Sequence, residues 1–110
     1  MQHESSDLLK VDTDNRVEIL LALWEREKLH GNGIRKHIED ERSIEIAPAT
    51  FYRAIDDLIN RALITIEETY GKLRVFTLTT EGKTFIDSYI SKEAERWQSY
   101  LASVRQLEFR

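Results

Sequence analysis

The sequence contains no cysteine. Disulfides, thiol catalysis and cysteine-ligated zinc are thereby excluded, and the absence suits a reducing compartment. No apolar run reaches the roughly 18 residues that a membrane span needs, so no membrane partner is expected. The opening MQHESSDLLK is polar and acidic, with no basic flank leading into an apolar stretch. It does not read as a secretory signal, and a cytoplasmic protein is expected. Excess basic charge is lacking too: 16 Lys and Arg face 20 Asp and Glu, for a formal net charge of -4. That balance counts against nucleic-acid binding, although binding depends on the face presented to phosphate rather than on the total. No internal repeat or low-complexity tract is visible.

What is present describes an ordinary globular chain. Hydrophobic content of 41% and charged content of 33% over 110 residues fit one compact domain. Residues 1–13 have little apolar content beyond Leu8, Leu9 and Val11 and read as a flexible N-terminal arm. Asp14 or Asn15 then offers a helix N-cap, with Glu18 placed as in a capping box. Val17, Ile19, Leu20, Leu21, Ala22, Leu23 and Trp24 follow, apolar over more than one helical stripe. Such a helix must be covered on two sides, and in so small a domain a second subunit is the expected cover.

His30-Gly31-Asn32-Gly33 breaks this pattern and reads as a turn. Residues 33–42 can form a short helix, with Ile34 and Ile38 inward and Arg35, Lys36, Glu39 and Asp40 outward. Residues 43–47 alternate and read as extended. Pro48, with its fixed φ and missing N–H, suits the first turn of a third helix. There Phe51, Ile55, Leu58 and Ala62 make one apolar face, opposite Thr50, Arg53, Asp56, Asp57 and Asn60. Residues 63–69 and 73–79 are rich in β-branched and aromatic types and flank Tyr70-Gly71-Lys72, which predicts a hairpin. Thr79 or Thr80 caps a last helix of roughly 27 residues, about 40 Å long. Within it Ile90, Ala94, Trp97, Leu101 and Val104 form a heptad seam. Its distal half has nothing in its own subunit to pack against, which implies dimerisation.

Helix, short helix, helix, hairpin and long helix is the winged helix-turn-helix order. The expected fold is mainly α with a small β-hairpin wing, spanning residues 14–79, with residues 80–110 as a C-terminal dimerisation helix. The stretch Ala47-Pro48-Ala49-Thr50-Phe51-Tyr52-Arg53-Ala54-Ile55, followed by Leu58 and Leu63-Ile64, resembles the recognition helix of PadR-type regulators. His30-Gly31-Asn32-Gly33-Ile34 is similar to that family's His-Gly-Tyr-Gly-Ile turn. Phe76-Thr77-Leu78-Thr79-Thr80-Glu81-Gly82 is similar to its Tyr-x-Leu-Thr-x-x-Gly. Together these run in order from Val17 to Phe85, and the single long last helix resembles the shorter-tailed subgroup.

The resemblance implies a homodimeric repressor that places the third helix of each subunit in the major groove of a double-stranded DNA operator. Ala49, Thr50, Tyr52 and Arg53 sit early in that helix, where base edges and phosphates are reached. Arg53 suits a guanine or a phosphate, whereas Thr50 and Tyr52 suit phosphate. Lys72 at the hairpin tip and Arg74 beside it are wing contacts to the backbone, and Arg35 and Lys36 extend the footprint. Two features depart from the family pattern: Asp56 and Asp57 stand where relatives usually carry basic residues, and Ala62 replaces a glycine. Each DNA-binding residue also has a plainer reading as part of a solvated face.

Leu20, Trp24, Ile90, Ala94, Trp97, Leu101 and Val104 are the expected dimer interface. Family members that sense flat aromatic compounds hold them between aromatic side chains there. Trp97, with Trp24 and Tyr100, is therefore a candidate site for a small aromatic effector, with pure packing as the alternative. His30 and His37 lack a spaced third ligand, and the carboxylates Asp56-Asp57 and Glu39-Asp40-Glu41 fall on exposed faces. Neither metal, cofactor nor enzymatic activity is expected. A winged-helix module that binds protein rather than DNA remains the competing reading, as the acidity would suit.

Overall fold

The computed structural model describes residues 15–108, so the arm predicted for residues 1–13 lies outside the described residues. In order the elements are α1 (Arg16–Arg26), β1 (Lys28–His30), α2 (Gly31–Arg42), α3 (Pro48–Asn60), β2 (Ile64–Tyr70), β3 (Leu73–Leu78) and α4 (Thr80–Glu108). The three strands form one antiparallel sheet in the order β1-β3-β2. Three helices pack with this sheet around one core, and α4 extends the molecule to 63 × 34 × 24 Å. This is a winged helix-turn-helix.

Helix α1 is the central element. Val17, Ile19, Leu20, Ala22 and Leu23 are all buried, between α2, α3, α4 and β3 of the same chain. The expectation that a second subunit covers this helix is therefore corrected. Leu20 is 0% exposed and unavailable to a partner, while Trp24 at the helix end is 48% exposed. The capping box is not formed either. Asn15 adopts a left-handed φ of 69° without a side-chain cap, and Glu18 instead pairs with Arg42 at 3.5 Å, tying α1 to α2.

The hairpin is joined by a third strand that sequence periodicity did not reveal. β1 is three residues long, too short for an alternating signal, and it exists because β3 supplies its hydrogen bonds with Leu29 opposite Phe76. The predicted turn at residues 30–33 is consequently shorter. His30 closes β1 and caps α2, its Nδ1 accepting from Gly33 N at 3.1 Å, so both Gly31 and Gly33 lie in the first turn of α2. Residues 43–47 join no sheet. Their backbone bonds to α2 side chains: Ile46 N donates to Glu39 Oε2 at 2.8 Å, and Arg35 Nη1 donates to Ile46 O at 3.4 Å. Arg35 and Glu39 thus leave the outward face assigned to them and are half-buried.

Helix α3 buries Phe51, Ala54, Ile55 and Leu58. It ends at Asn60, so Ala62 does not complete the apolar face. Ala62 is exposed at φ 61°, the left-handed conformation that a glycine would adopt without a Cβ penalty. The turn after it is locked by Thr79, whose Oγ1 donates to Ala62 O at 2.6 Å and accepts from Gly82 N at 2.9 Å. Gly82 packs its backbone directly on Leu63, where an added Cβ would stand 2.0 Å from the carbonyl oxygen. The Leu78-Thr79-Thr80-Glu81-Gly82 stretch is thus a structural joint between the α3–β2 turn and α4.

Candidate nucleic-acid interface

Burial of Phe51, Ala54, Ile55 and Leu58 leaves the opposite stripe of α3 facing solvent. Ala49, Thr50, Arg53, Asp56 and Asn60 are exposed there. Pro48 opens the helix at N1, and Ala47 provides no side-chain cap, so the N-terminal turn presents its backbone donors to solvent. Thr50 and Arg53 line a shallow depression of about 260 Å³ with Arg16, Ala54 and Asp57. Arg53 has no ion pair among the described residues.

Of Asp56 and Asp57, the acids that stand against phosphate binding in the sequence, Asp57 is paired, as are Glu67 and Glu68 of β2. Asp57 Oδ2 accepts from Arg16 Nη1 and, at 2.7 Å, from Arg61 Nε. Partial burial pushes the Asp57 carboxyl up, but the hydrogen bonds and charges of Arg16 and Arg61 outweigh it and hold it below the usual carboxylate range. Glu67 and Glu68 both reach Lys28 Nζ, at 3.1 and 3.7 Å. Adjacent strand residues normally point to opposite faces. A bulge between Ile66 and Glu68 inserts Glu67 as an extra residue and lets both carboxylates approach one ammonium. Hydrogen bonding to Glu67, reinforced by both charges, raises the Lys28 pKa, and a hydrogen bond to Glu68 raises that of Tyr70. Asp56 remains exposed.

The wing carries the second set of cations. Gly71, at φ 62°, opens the tight turn of the hairpin, and Lys72 is exposed beside it. Arg74 lies over the Phe76 ring with its guanidinium carbon 5.4 Å from the centroid. Neither Lys72 nor Arg74 is ion-paired among the described residues. Together with Gly31, Asn32, Tyr52, Leu73 and Phe76 they line a cleft of about 360 Å³ between α2, α3 and the wing. Tyr52 belongs to this cleft and not to the solvated face of α3. It is half-buried, edge-on to Phe51 at 5.0 Å, and a Cβ on Gly31 would come within 2.5 Å of its hydroxyl.

The structure distributes the remaining candidates as follows. Lys36 is exposed on α2, whereas Arg35 is committed to Ile46, Glu39 and Asn32 inside the domain. Trp97 and Tyr100 meet edge-to-face at 5.8 Å on α4. Trp24 is elsewhere: its Nε1 donates to Asp87 Oδ1 at 3.2 Å, ten residues and roughly 15 Å before Trp97 along the helix. The three aromatics are not brought together within one chain. Sequence reasoning missed Arg16 and Asn32. Both lie far from the recognition stretch in sequence, and only folding sets them beside Asp57 and Tyr52. No helix among the described residues is long and apolar enough to cross a membrane.

Fold and surface together define a winged-helix regulator. Residues 19–88 match the transcriptional regulator PadR-like family, and the chain belongs to that family. The structure is similar to that of RosR from H. salinarum, with a TM-score of 0.66 at 23% identity over 80% of this chain and 88% of that one. It is similar to F93 from STIV, a winged-helix DNA-binding protein, with a TM-score of 0.60 at 20% identity over 72% and 85% of the two chains. A transcriptional regulator from Clostridium thermocellum superposes with a TM-score of 0.59 at 20% identity, over 88% and 93%. No curated protein matches the sequence.

Proposed function

We propose that the chain is a cytoplasmic, sequence-specific DNA-binding transcriptional repressor that acts as a homodimer. One observation carries this reading. The N-terminal half of α3 is open, with Thr50 and Arg53 exposed, while the neighbouring Asp57 is satisfied by Arg16 and Arg61. Its α3 would enter the major groove, with Arg53 on a base edge or phosphate and Ala49 close enough for apolar contact. Lys72, Arg74 and Tyr52 would follow the backbone along the wing cleft, with Lys36 on its flank. The protein-interaction alternative rests on the net acidity of the chain and on Asp56-Asp57, and of these two carboxylates Asp57 is paired with Arg16 and Arg61.

Exposed apolar residues on α4 support dimerisation. Its seam residues Trp97 and Leu101 are 61% and 54% exposed in the single chain, and Leu107 is 67% exposed, an arrangement that water disfavours. Pairing of the seam Ile90, Ala94, Trp97, Leu101 and Val104 with its copy would cover them. Two-fold symmetry would then present two α3 helices to half-sites about one helical turn apart. The Trp97–Tyr100 pair offers flat faces to a small aromatic effector, whose insertion would alter the spacing of the α3 helices.

Fluorescence anisotropy against duplexes from the DNA upstream of the protein's own gene tests the central claim. Arg53→Ala should weaken binding by about 5- to 150-fold, in line with the loss of about 1–3 kcal/mol from a bidentate contact. Equal binding of wild type and Arg53→Ala across the salt range would remove the operator-reading role.

A further inference from the structure

The polar side chains that line the cleft between α2, α3 and the wing are chiefly hydrogen-bond donors. Lys72 and Arg74 enter it from the wing, Tyr52 from α3, and Asn32 from the first turn of α2. No carboxylate lines it, in a chain where Asp and Glu outnumber Lys and Arg by 20 to 16. Asn32 is the informative residue. Its Oδ1 accepts from Arg35 Nη2 at 3.2 Å, and because arginine can only donate, the amide oxygen must face Arg35. The amide nitrogen Nδ2 is thereby turned the other way and has no partner among the described residues. Arg35 is itself anchored on Ile46 O and Glu39, so the orientation of Asn32 is held from inside the domain.

The other three groups are equally uncommitted. The Tyr52 hydroxyl reaches over Gly31, whose lack of a Cβ makes room for it, and no hydrogen bond ties it among the described residues. Arg74 rests over the Phe76 ring, which orders the guanidinium without occupying it with a carboxylate. Lys72 is exposed and has no ion pair among the described residues. Two positive charges, a hydroxyl and an amide NH2 thus converge on about 360 Å³. A cation would meet two like charges there. A phosphate, with its several strong acceptor oxygens and its preference for charged donors, fits.

We propose that this cleft is a phosphate-binding site in which Asn32 Nδ2, the Tyr52 hydroxyl, Lys72 and Arg74 hold one phosphate group. That group is a backbone phosphate of DNA or the phosphate of a small molecule, and both present the same chemistry to the four donors. The inference deepens the DNA-binding reading above by giving Asn32 a part in it, and it is tested first without DNA so that the two fail separately.

The experiment titrates the full, nitrogen-15-labelled chain with inorganic pyrophosphate at constant ionic strength made up with KCl. The Asn32 side-chain amide and the Arg74 Nε–H are followed by NMR. Both should shift along one saturating curve complete by about 20 mM, as millimolar affinity requires. Asn32→Asp keeps the size of the side chain and an oxygen toward Arg35, and an acid suits the first turn of a helix, so the variant should melt no lower than wild type. Its carboxylate should nevertheless weaken pyrophosphate binding by about tenfold or more, since it turns a donor position into an anion. Tyr52→Phe, which carries the test should Asn32→Asp not fold, should weaken it by about 3- to 10-fold through loss of one hydrogen bond. Lys92→Ala, on α4 and outside the cleft, removes one positive charge and should leave binding unchanged. No saturable response to pyrophosphate, or an equal response by wild type, Asn32→Asp and Tyr52→Phe, overturns the proposal. Anisotropy with a labelled duplex then identifies the source of the phosphate. A Tyr52→Phe protein that loses duplex affinity by a similar factor shows that the DNA backbone supplies it. One that binds duplex like wild type while losing pyrophosphate shows that a small molecule does. If pyrophosphate binds and no duplex does at about 50 mM salt, the DNA-binding reading falls and the phosphate site stands.

Discussion

Substitution of Gly82 by alanine probes the joint that fastens α4 to the DNA-binding body. A Cβ at this position would stand 2.0 Å from the carbonyl oxygen of Leu63 and 3.3 Å from Leu78 Cδ2. A carbon and a carbonyl oxygen normally approach no closer than about 3.3 Å, so the helix start must retreat by roughly 1.3 Å. The obstacle is backbone, which cannot rotate aside like a flexible side chain. Retreat loosens two hydrogen bonds, Thr79 N to Leu63 O at 3.1 Å and Thr79 Oγ1 to Ala62 O at 2.6 Å. Each contributes about 1 kcal/mol net. Overpacking adds about 1–3 kcal/mol. Better helix propensity and a less flexible unfolded chain return roughly 1 kcal/mol. The expected loss is about 2–4 kcal/mol, read as a fall in Tm of roughly 10–20 °C and a lower urea midpoint at unchanged slope. Gly71→Ala is the control. Gly71 also lies at positive φ, 62°, but nothing stands within 4 Å of an added Cβ, so only the left-handed cost of about 1 kcal/mol applies. If Gly82→Ala costs no more than Gly71→Ala, the close approach of α4 to Leu63 is not a feature of the folded protein.

Other perturbations test separate links. Ala62→Gly should stabilise the fold by up to about 1 kcal/mol, because Ala62 already holds a φ of 61°; a loss of stability in thermal melts would contradict that backbone geometry. The Asp57 carboxyl has a folded-state pKa below its unfolded one, so its contribution to stability is present at neutral pH and is lost as pH falls below roughly 4. Wild type should therefore lose more stability than Asp57→Asn between pH 5 and pH 3 in urea titrations, and parallel curves would refute the pairing. Leu101→Glu together with Val104→Glu should convert a dimer into monomers by analytical ultracentrifugation, leaving the melting of the isolated body nearly unchanged. A dimer that persists would place the interface elsewhere. Phosphate-facing roles for Lys72 and Arg74 predict that Lys72→Ala and Arg74→Ala each weaken binding to all duplexes alike and flatten the salt slope by about 0.9.

Much of the architecture was legible because it follows from short-range rules. Pro48 at N1, the 4-3 spacing of Phe51, Ile55 and Leu58, and the breaker at Gly71 are local facts, and helix α3 and the hairpin follow from them. The departure at Ala62 from the family's glycine was equally readable, although the left-handed φ of 61° that it adopts past the helix end came only from the structure. Strand β1 was not, because three residues show no period and its partner β3 lies nearly fifty positions away. For the same reason α1 was assigned an external cover: its apolar residues announce burial without saying which surface buries them, and α2, α4 and β3 of the same chain do so.

The candidate site divides along the same line. Sequence alone determined which side of α3 is apolar, and hence that Thr50 and Arg53 face outward, because helical period and burial of hydrocarbon require no knowledge of the neighbours. It also supplied the balance of charge along the chain, 16 Lys and Arg against 20 Asp and Glu. Tertiary structure decided where those charges act. Folding carries Arg16 across from α1 to Asp57, Lys28 across the sheet to Glu67 and Glu68, and Arg35 inward to Ile46, leaving Arg53, Lys72 and Arg74 without an ion pair among the described residues. Ion pairing depends on distances of a few ångströms between residues far apart in the chain, and no pattern of spacing along one strand or helix encodes those distances.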